Sequence, residues 1–205
     1  MSVTICIPSI PGRDVDRQRA WKSAINQNVE DAQLDVSVAI DEAGQGPAHI
    51  RNMLVAEAET EWIAFLDDDD YLLNHHIETL VNLQEETDAD VVWPWFKVSG
   101  GTDPFPENRG RQWDRTSPHI FPITAMVRRA AFLEVGGFDE DTASQPDPND
   151  PSRTVAGEDW RLWNALSAAG AKFAHTPEIT WVWRHHGANT SGLPALARSF
   201  YGALP

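Results

Sequence analysis

The stretch Glu61-Trp62-Ile63-Ala64-Phe65-Leu66-Asp67-Asp68-Asp69-Asp70-Tyr71-Leu72 leaves this chain few ways to fold. Its apolar residues, Trp62 to Leu66, read as a strand buried on both faces, and they stop abruptly at four carboxylates. Such a strand delivers acid to the end of a sheet, which is where α/β sheets place their chemistry. Four like charges crowded there repel one another, and a hard divalent cation, Mg²⁺ or Mn²⁺, relieves the repulsion through oxygen ligands. The competing reading is a solvated acidic loop, and the hydrophobicity of the strand that launches the run weighs against it.

The flanking segments supply the rest of an α/β pattern. Val3 to Ile7 is a β-branched run closed by Pro8, and the loop Pro8 to Arg13 turns the chain into a helix from Asp14 to Asn28, with Trp21, Ala24 and Ile25 on one face. Leu34, Val36, Val38 and Ile40 alternate as a second strand, which again ends in acid at Asp41-Glu42. After the turn Gly44-Gln45-Gly46, Pro47 suits the first position of a helix carrying Ile50, Leu54 and Ala58, with Arg51 and Asn52 in its early turns. The acidic strand is followed by a helix capped by Asn74, with Ile77, Leu80, Val81 and Gln84 as its period, and then by a strand from Asp90 to Trp93, where Pro94 is expected to end regular pairing. This alternation predicts a single-domain three-layer α/β/α sandwich with a mostly parallel central sheet and right-handed crossovers.

The second half is less regular. Residues 99–119 read as a long loop, Thr124 to Val127 as a short strand, and Ala130 to Val135 as a short helix stopped by Gly136-Gly137. Residues 139–156 have the composition of a surface loop or lid; a helix from Glu158 to Ala169 and strands at Phe173 and Ile179 to Trp183 follow.

A length of 205 residues fits one domain, 1–205. With 31 acidic against 16 basic residues, the formal charge of −15 opposes nucleic acid and anionic lipid, so a bound phosphate would need a metal. No apolar segment approaches the roughly 20 residues that span a bilayer, and Met1 to Ile5 lacks a signal-peptide pattern, so a cytoplasmic location is expected. The single cysteine, Cys6, lies in a predicted strand and is expected to be a small core residue; no CxxC or HExxH suggests zinc.

Taken in order, the motifs resemble the family-2-type glycosyltransferases of the GT-A fold, the nucleotide-diphospho-sugar transferases with an Asp-x-Asp motif. The resemblance runs from Val3 to about Ser191. It is carried by Pro8-Ser9 after the first strand, Asp41-Glu42 after the second, Gly46 through Arg51-Asn52, Phe65 to Asp70, Gly136-Gly137-Phe138-Asp139, Gly157-Glu158-Asp159-Trp160, and Trp183-Arg184-His185-His186 followed by Asn189 and Ser191. The chain departs from the family pattern at Ile10-Pro11-Gly12 and at Ala43-Gly44, both where the family holds the nucleotide base.

The resemblance implies residues 1–98 as a nucleotide-binding half and 99–205 as an acceptor and catalytic half. It implies a metal-dependent transfer, with inversion, of a sugar from a nucleotide-diphosphate donor to an acceptor hydroxyl on a glycan, protein or small molecule. Asp69, Asp67 and His186 would hold Mn²⁺ or Mg²⁺, with His185 as the fallback for His186. Pro8, Ser9, Arg13, Asp41, Arg51, Asp67 and Asp68 would lie against the nucleotide. Strand alternation turns Asp68 away from Asp67 and Asp69, so it carries no chemistry of its own; Asp70 is read as a neighbour. Asp159 is the general base, where the bland alternative is an acid favoured by a helix dipole. Arg51 could otherwise pair at the surface with Glu57 or Glu59. Trp95 and Trp113 are candidates to stack on an acceptor sugar, although core packing is the commoner fate of Trp. A non-catalytic nucleotide-sugar-binding protein of the same fold, and a sugar nucleotidyltransferase, are the competing functions. The latter would want a Gly-rich, basic phosphate loop where Pro8 to Arg13 has one Gly and one Arg.

Overall fold

A computed structural model of the chain describes residues 1–29, 32–99, 101–114, 122–141, 145–147, 150–155 and 157–184. Period-two alternation splits the core between two faces of one sheet. Along β1 (Ser2–Ser9), Val3, Ile5 and Ile7 enter one apolar cluster while Cys6 enters the other. Along β3 (Trp62–Phe65) and the residue after it, Trp62, Ala64 and Leu66 join the first and Ile63 and Phe65 the second. The first face is covered by α1 (Asp14–Ile25) and α3 (His76–Thr87); the second by α2 (Pro47–Glu57), α4 (Arg129–Glu134) and α5 (Glu158–Ala168). The layers are therefore α/β/α. Burial pushes the Cys6 thiol up to about 12, as suits a core residue.

The remaining strands are β2 (Gln33–Ile40), β4 (Tyr71–Leu72), β5 (Val91–Val98), β6 (Met126–Arg128) and β9 (Phe173–Trp183), with β7 (Gln145–Asp147) and β8 (Asp150–Val155) forming a separate antiparallel pair. The seven-stranded order is β2-β1-β3-β6-β5-β9-β4. Pairings β1–β2, β1–β3 and β5–β9 are parallel, whereas β3–β6, β5–β6 and β4–β9 are antiparallel. Five of the seven strands, β1, β2, β3, β5 and β9, therefore run in one direction, so the sheet is mostly parallel as the alternation predicts; β6, inserted antiparallel between β3 and β5, and β4 at the edge are the two exceptions.

Four local expectations are corrected. Pro94 does not end β5; the strand passes through it with register shifts around Trp95, and the bulge sends Trp93 to one core face and Trp95 to the other. Helix α3 begins at His76, and Asn74 does not cap it: Gln27 Oε1 accepts the first-turn amide of Ile77 at 3.0 Å, while the Asn74 carbonyl accepts the Asn28 amide. Helix α1 packs through Ala20 and Ala24, whose small side chains allow close approach to the sheet, and leaves Trp21 and Ile25 exposed. Finally, the two closing strands expected from Phe173 onward are one, β9.

Candidate active site

The acidic run leaves the sheet before its charges begin. Strand β3 ends at Phe65, the Leu66 amide still donates to the Cys6 carbonyl, and Asp67 to Asp70 form a tight turn closed by Asp70 N–H to Asp67 C=O at 3.2 Å. The turn separates the four carboxylates by direction. Asp68 points to the first loop, where it accepts from Ser9 Oγ at 2.7 Å and Arg13 Nη1 at 2.7 Å; Arg13 also reaches Asp69 Oδ2 at 3.3 Å. Asp67, Asp69 and Asp70 each bring one ligand atom into a group spanning no more than 4.8 Å. Asp70 is therefore more than a neighbour. Its carboxyl is buried and held well above the usual carboxylate range, first by burial and then by the Asp67 and Asp69 charges, although the Arg184 amide donates to it at 2.8 Å. Oxygen atoms this close, on a carboxylate this reluctant to ionise alone, fit a hard divalent cation.

Arg51 ties this turn to the helix that carries Asp159. Its side chain, on α2, is 4 % exposed; one guanidinium nitrogen donates to Asp67 Oδ1 at 2.6 Å and another to Glu158 Oε1 at 3.1 Å. The Phe138 ring lies 5.4 Å from the guanidinium carbon. The surface pairing with Glu57 or Glu59 does not occur. The next residue, Asn52, closes a second clasp: its amide nitrogen donates to Phe138 C=O at 2.9 Å and Glu140 Oε1 at 2.8 Å, and its oxygen accepts the Phe138 amide at 2.8 Å. Gly137 makes this possible, because φ is 76° there and an added Cβ would stand 2.6 Å from Asn52 Oδ1.

Asp159 lies in the first turn of α5 beside Glu158, and its Oδ1 accepts its neighbour Trp160's amide at 2.6 Å. Its pKa is raised to about 7, by burial first and the Glu158 charge second; the Trp160 amide and the Arg51 charge pull the other way. A carboxyl poised there can take a proton near neutral pH. Asp41 is tuned oppositely. It follows β2 and accepts the Gln45 amide at 2.8 Å and the Gly46 amide at 2.7 Å, which hold it below the usual carboxylate range.

Of the residues singled out in the sequence, Ser9, Arg13, Asp67, Asp68 and Asp69 come together, and Arg51 joins Asp67 to the start of α5. Pro8 sits on β1 opposite Ala39, one residue before Ser9. Asp41 serves the turn into α2. His185, His186, Asn189 and Ser191 lie outside the described residues. Trp95 is fully buried, with its indole N–H on Asp103 Oδ2 at 2.5 Å, and presents no face to a sugar. Sequence reasoning missed Asn52, Glu158 and Arg184. The first two stood beside residues already chosen, and Arg184 preceded the histidines; only the fold shows their partners.

This architecture, with its acidic turn on the C-terminal side of a central parallel strand, is the GT-A arrangement of nucleotide-diphospho-sugar transferases. Three crystal structures of S. aureus TarS share it, each with a TM-score of 0.69: residues 1–349 alone at 16 % identity, covering 90 % of this chain and 60 % of that one; the same span with UDP at 15 %, covering 90 % and 61 %; and with UDP-GlcNAc at 14 %, covering 92 % and 60 %. This chain therefore spans about three fifths of that TarS fragment. No curated protein matches it. The glycosyl transferase family 2 profile matches residues 23–136, more than half of the sequence, and the chain belongs to that family. Among the described residues, no helix is long and apolar enough to cross a membrane.

Proposed function

We propose that this protein transfers a sugar from a nucleotide-diphosphate donor to an acceptor hydroxyl, with inversion, using Asp159 as general base. The observation that carries the reading is the Arg51 tie, which connects the acidic turn at Asp67 to the residue next to a carboxyl with a pKa of about 7. Two groups of opposite task, one suited to a metal diphosphate and one to proton removal, are thereby held in one cleft.

Asp67, Asp69 and Asp70 would hold Mn²⁺ or Mg²⁺, with His186 as a further candidate ligand. The ion would supply positive charge against the diphosphate as it departs. The chain's own groups do the remainder. Arg13 stands at the rim of the acidic turn and can turn from Asp68 and Asp69 to a phosphate oxygen. Ser9 and Asp68 order the first loop, and Asp41 shapes the turn where the base and ribose would rest. Asp159 accepts the proton of the attacking hydroxyl as the new bond forms at the anomeric carbon. Residues 1–98 would form the nucleotide half, and 99–205 the acceptor half.

Because TarS was solved with UDP, uridine diphosphate leads a thermal-shift panel of five nucleoside diphosphates, each with Mn²⁺ and with chelator. A ligand at 100 times its Kd adds about 2.7 kcal/mol. Stabilisation by one base only in the presence of metal supports the donor site. No stabilisation by any base at millimolar concentration removes it and leaves a fold without this activity.

A further inference from the structure

Beside the base stands an aromatic side chain that the donor chemistry does not use. On α5, Asp159, Leu162, Trp163 and Leu166 fall on one helical face, and the last three are buried in the core. Trp160, Asn164 and Ser167 form the adjoining face, so Trp160 is one step around the helix from the base. Trp160 follows the base directly in the first turn of α5, and its ring meets Trp113, which also reaches Ser167 two turns further along the helix. Trp160 is partly exposed, and its indole N–H has no partner among the described residues.

Trp160 is supported from behind. The Trp113 ring centroid lies 5.4 Å from it at an interplanar angle of 53°. Trp113 is itself stacked on Phe173 at 4.7 Å and 14°, and its indole N–H donates to Ser167 Oγ at 3.0 Å. The chain leading to Trp113 is pinned to β9: the Gly110 amide donates to His175 Nε2 at 3.0 Å, and Gln112 accepts the His175 amide at 3.2 Å. Such bracing fixes the height and tilt of the Trp160 ring against the base. A tryptophan needed only for packing would sink into the core as Trp163 does, at 0 % exposure.

We propose that Trp160, braced by Trp113, is the acceptor platform, and that the acceptor is a pyranoside. The apolar C–H face of a pyranose ring covers the indole, a ring hydroxyl accepts the indole N–H, and the neighbouring nucleophilic hydroxyl meets Asp159. This inference rests on the glycosyl-transfer reading. In the transfer step the acceptor oxygen forms the bond to the anomeric carbon, its proton passes to Asp159, and the bond from that carbon to the diphosphate oxygen breaks with its electron pair leaving on the nucleoside diphosphate.

The platform is tested without any donor. Saturation transfer from protein aromatic protons to methyl glycosides of glucose, galactose, N-acetylglucosamine and rhamnose is recorded for the wild type, Trp160→Phe and Trp160→Leu, with ribitol and a serine-containing peptide alongside. At least one pyranoside is expected to show ring C–H saturation, about tenfold weaker binding in Trp160→Leu, and partial recovery in Trp160→Phe, with UDP affinity and the far-ultraviolet spectrum unchanged. Saturation of ribitol or the peptide alone, no saturation of any pyranoside, or pyranoside binding indifferent to Trp160→Leu overturns the platform. Failure of every nucleoside diphosphate to bind the wild type strikes the donor reading instead, since the pyranoside measurement needs no nucleotide.

Discussion

Asp41 stands in the turn that leads into α2 and Asp159 in the first turn of α5, and the two settings tune them in opposite directions. Ahead of α2, Asp41 receives two turn amides and is held below the usual carboxylate range. At α5, Asp159 receives one amide, is half-buried beside Glu158, and has its pKa raised to about 7. Donor count and the neighbouring charge set the difference. An acid near a helix start is a structural device where amides converge on it, and a proton acceptor where a second acid and burial deny it full ionisation.

The strongest way to break the comparison is Asp159→Asn, which keeps size and removes the proton acceptor. Transfer is expected to fall by about 10²–10⁴-fold with nucleoside-diphosphate binding retained, read by product formation and calorimetry. A similar loss in Asp41→Asn would place both acids in the chemistry and erase the contrast.

Next in size is the pH response. The rate should rise through about pH 7 as Asp159 ionises. Stability carries the opposite sign: between the unfolded value near 4 and about 7, the native state holds a proton at Asp159 that the unfolded chain has lost, so this group's contribution declines as pH rises. Asp41 contributes stability present above its unfolded value and lost as pH falls through its lowered one. Asp159→Asn should flatten the decline between pH 4 and 7 in denaturant-melt profiles while leaving the acid limb in place. An unchanged decline would assign it to another group.

Arg51→Met sharpens the same point from the partner's side. Removing the buried guanidinium leaves Asp67 and Glu158 facing one another, at a cost of about 3 kcal/mol, toward the low end for a broken buried pair because both acids keep some contact with water. It also removes a charge that lowers the Asp159 pKa, so the rising limb of the rate profile should move to higher pH. Movement to lower pH would mean that Arg51 acts on Asp159 mainly by holding Glu158 close. The smallest effect is expected for Asp41→Ala, a modest loss of stability from two turn amides losing their acceptor, measured by urea unfolding.

Much of the frame was legible because it rests on local pattern. The apolar run into Asp67 and the period of α3 report burial directly, while the alternation of Leu34 to Ile40 marks a strand, the edge strand β2, whose Val38 and Ile40 stay exposed. Cys6 went to the core as its surroundings in β1 suggested. What was hidden depends on distant partners. Pro94 reads as a strand end from its missing N–H, yet a bulge accommodates it. Arg51 reads as a surface or nucleotide-facing cation because its partners come from distant elements, Asp67 from the acidic turn and Glu158 from the start of α5. Asp70 looked surplus since a strand pattern extrapolated through the acidic run separates neighbours, whereas the chain has turned by then. Trp95 and Trp113 carried equal claims in sequence; one is sealed in the core, the other braces Trp160.

The two bonds of Arg51 differ in how much chain they enclose. The one to Asp67 closes 16 residues and the one to Glu158 closes 107. Closing a longer loop is entropically dearer and slower, so the acidic turn can find its counter-ion while α5 is still searching for its berth. Arg51 can therefore pair with the acidic turn before α5 docks, and its bond to Glu158 is the one that waits on the whole fold.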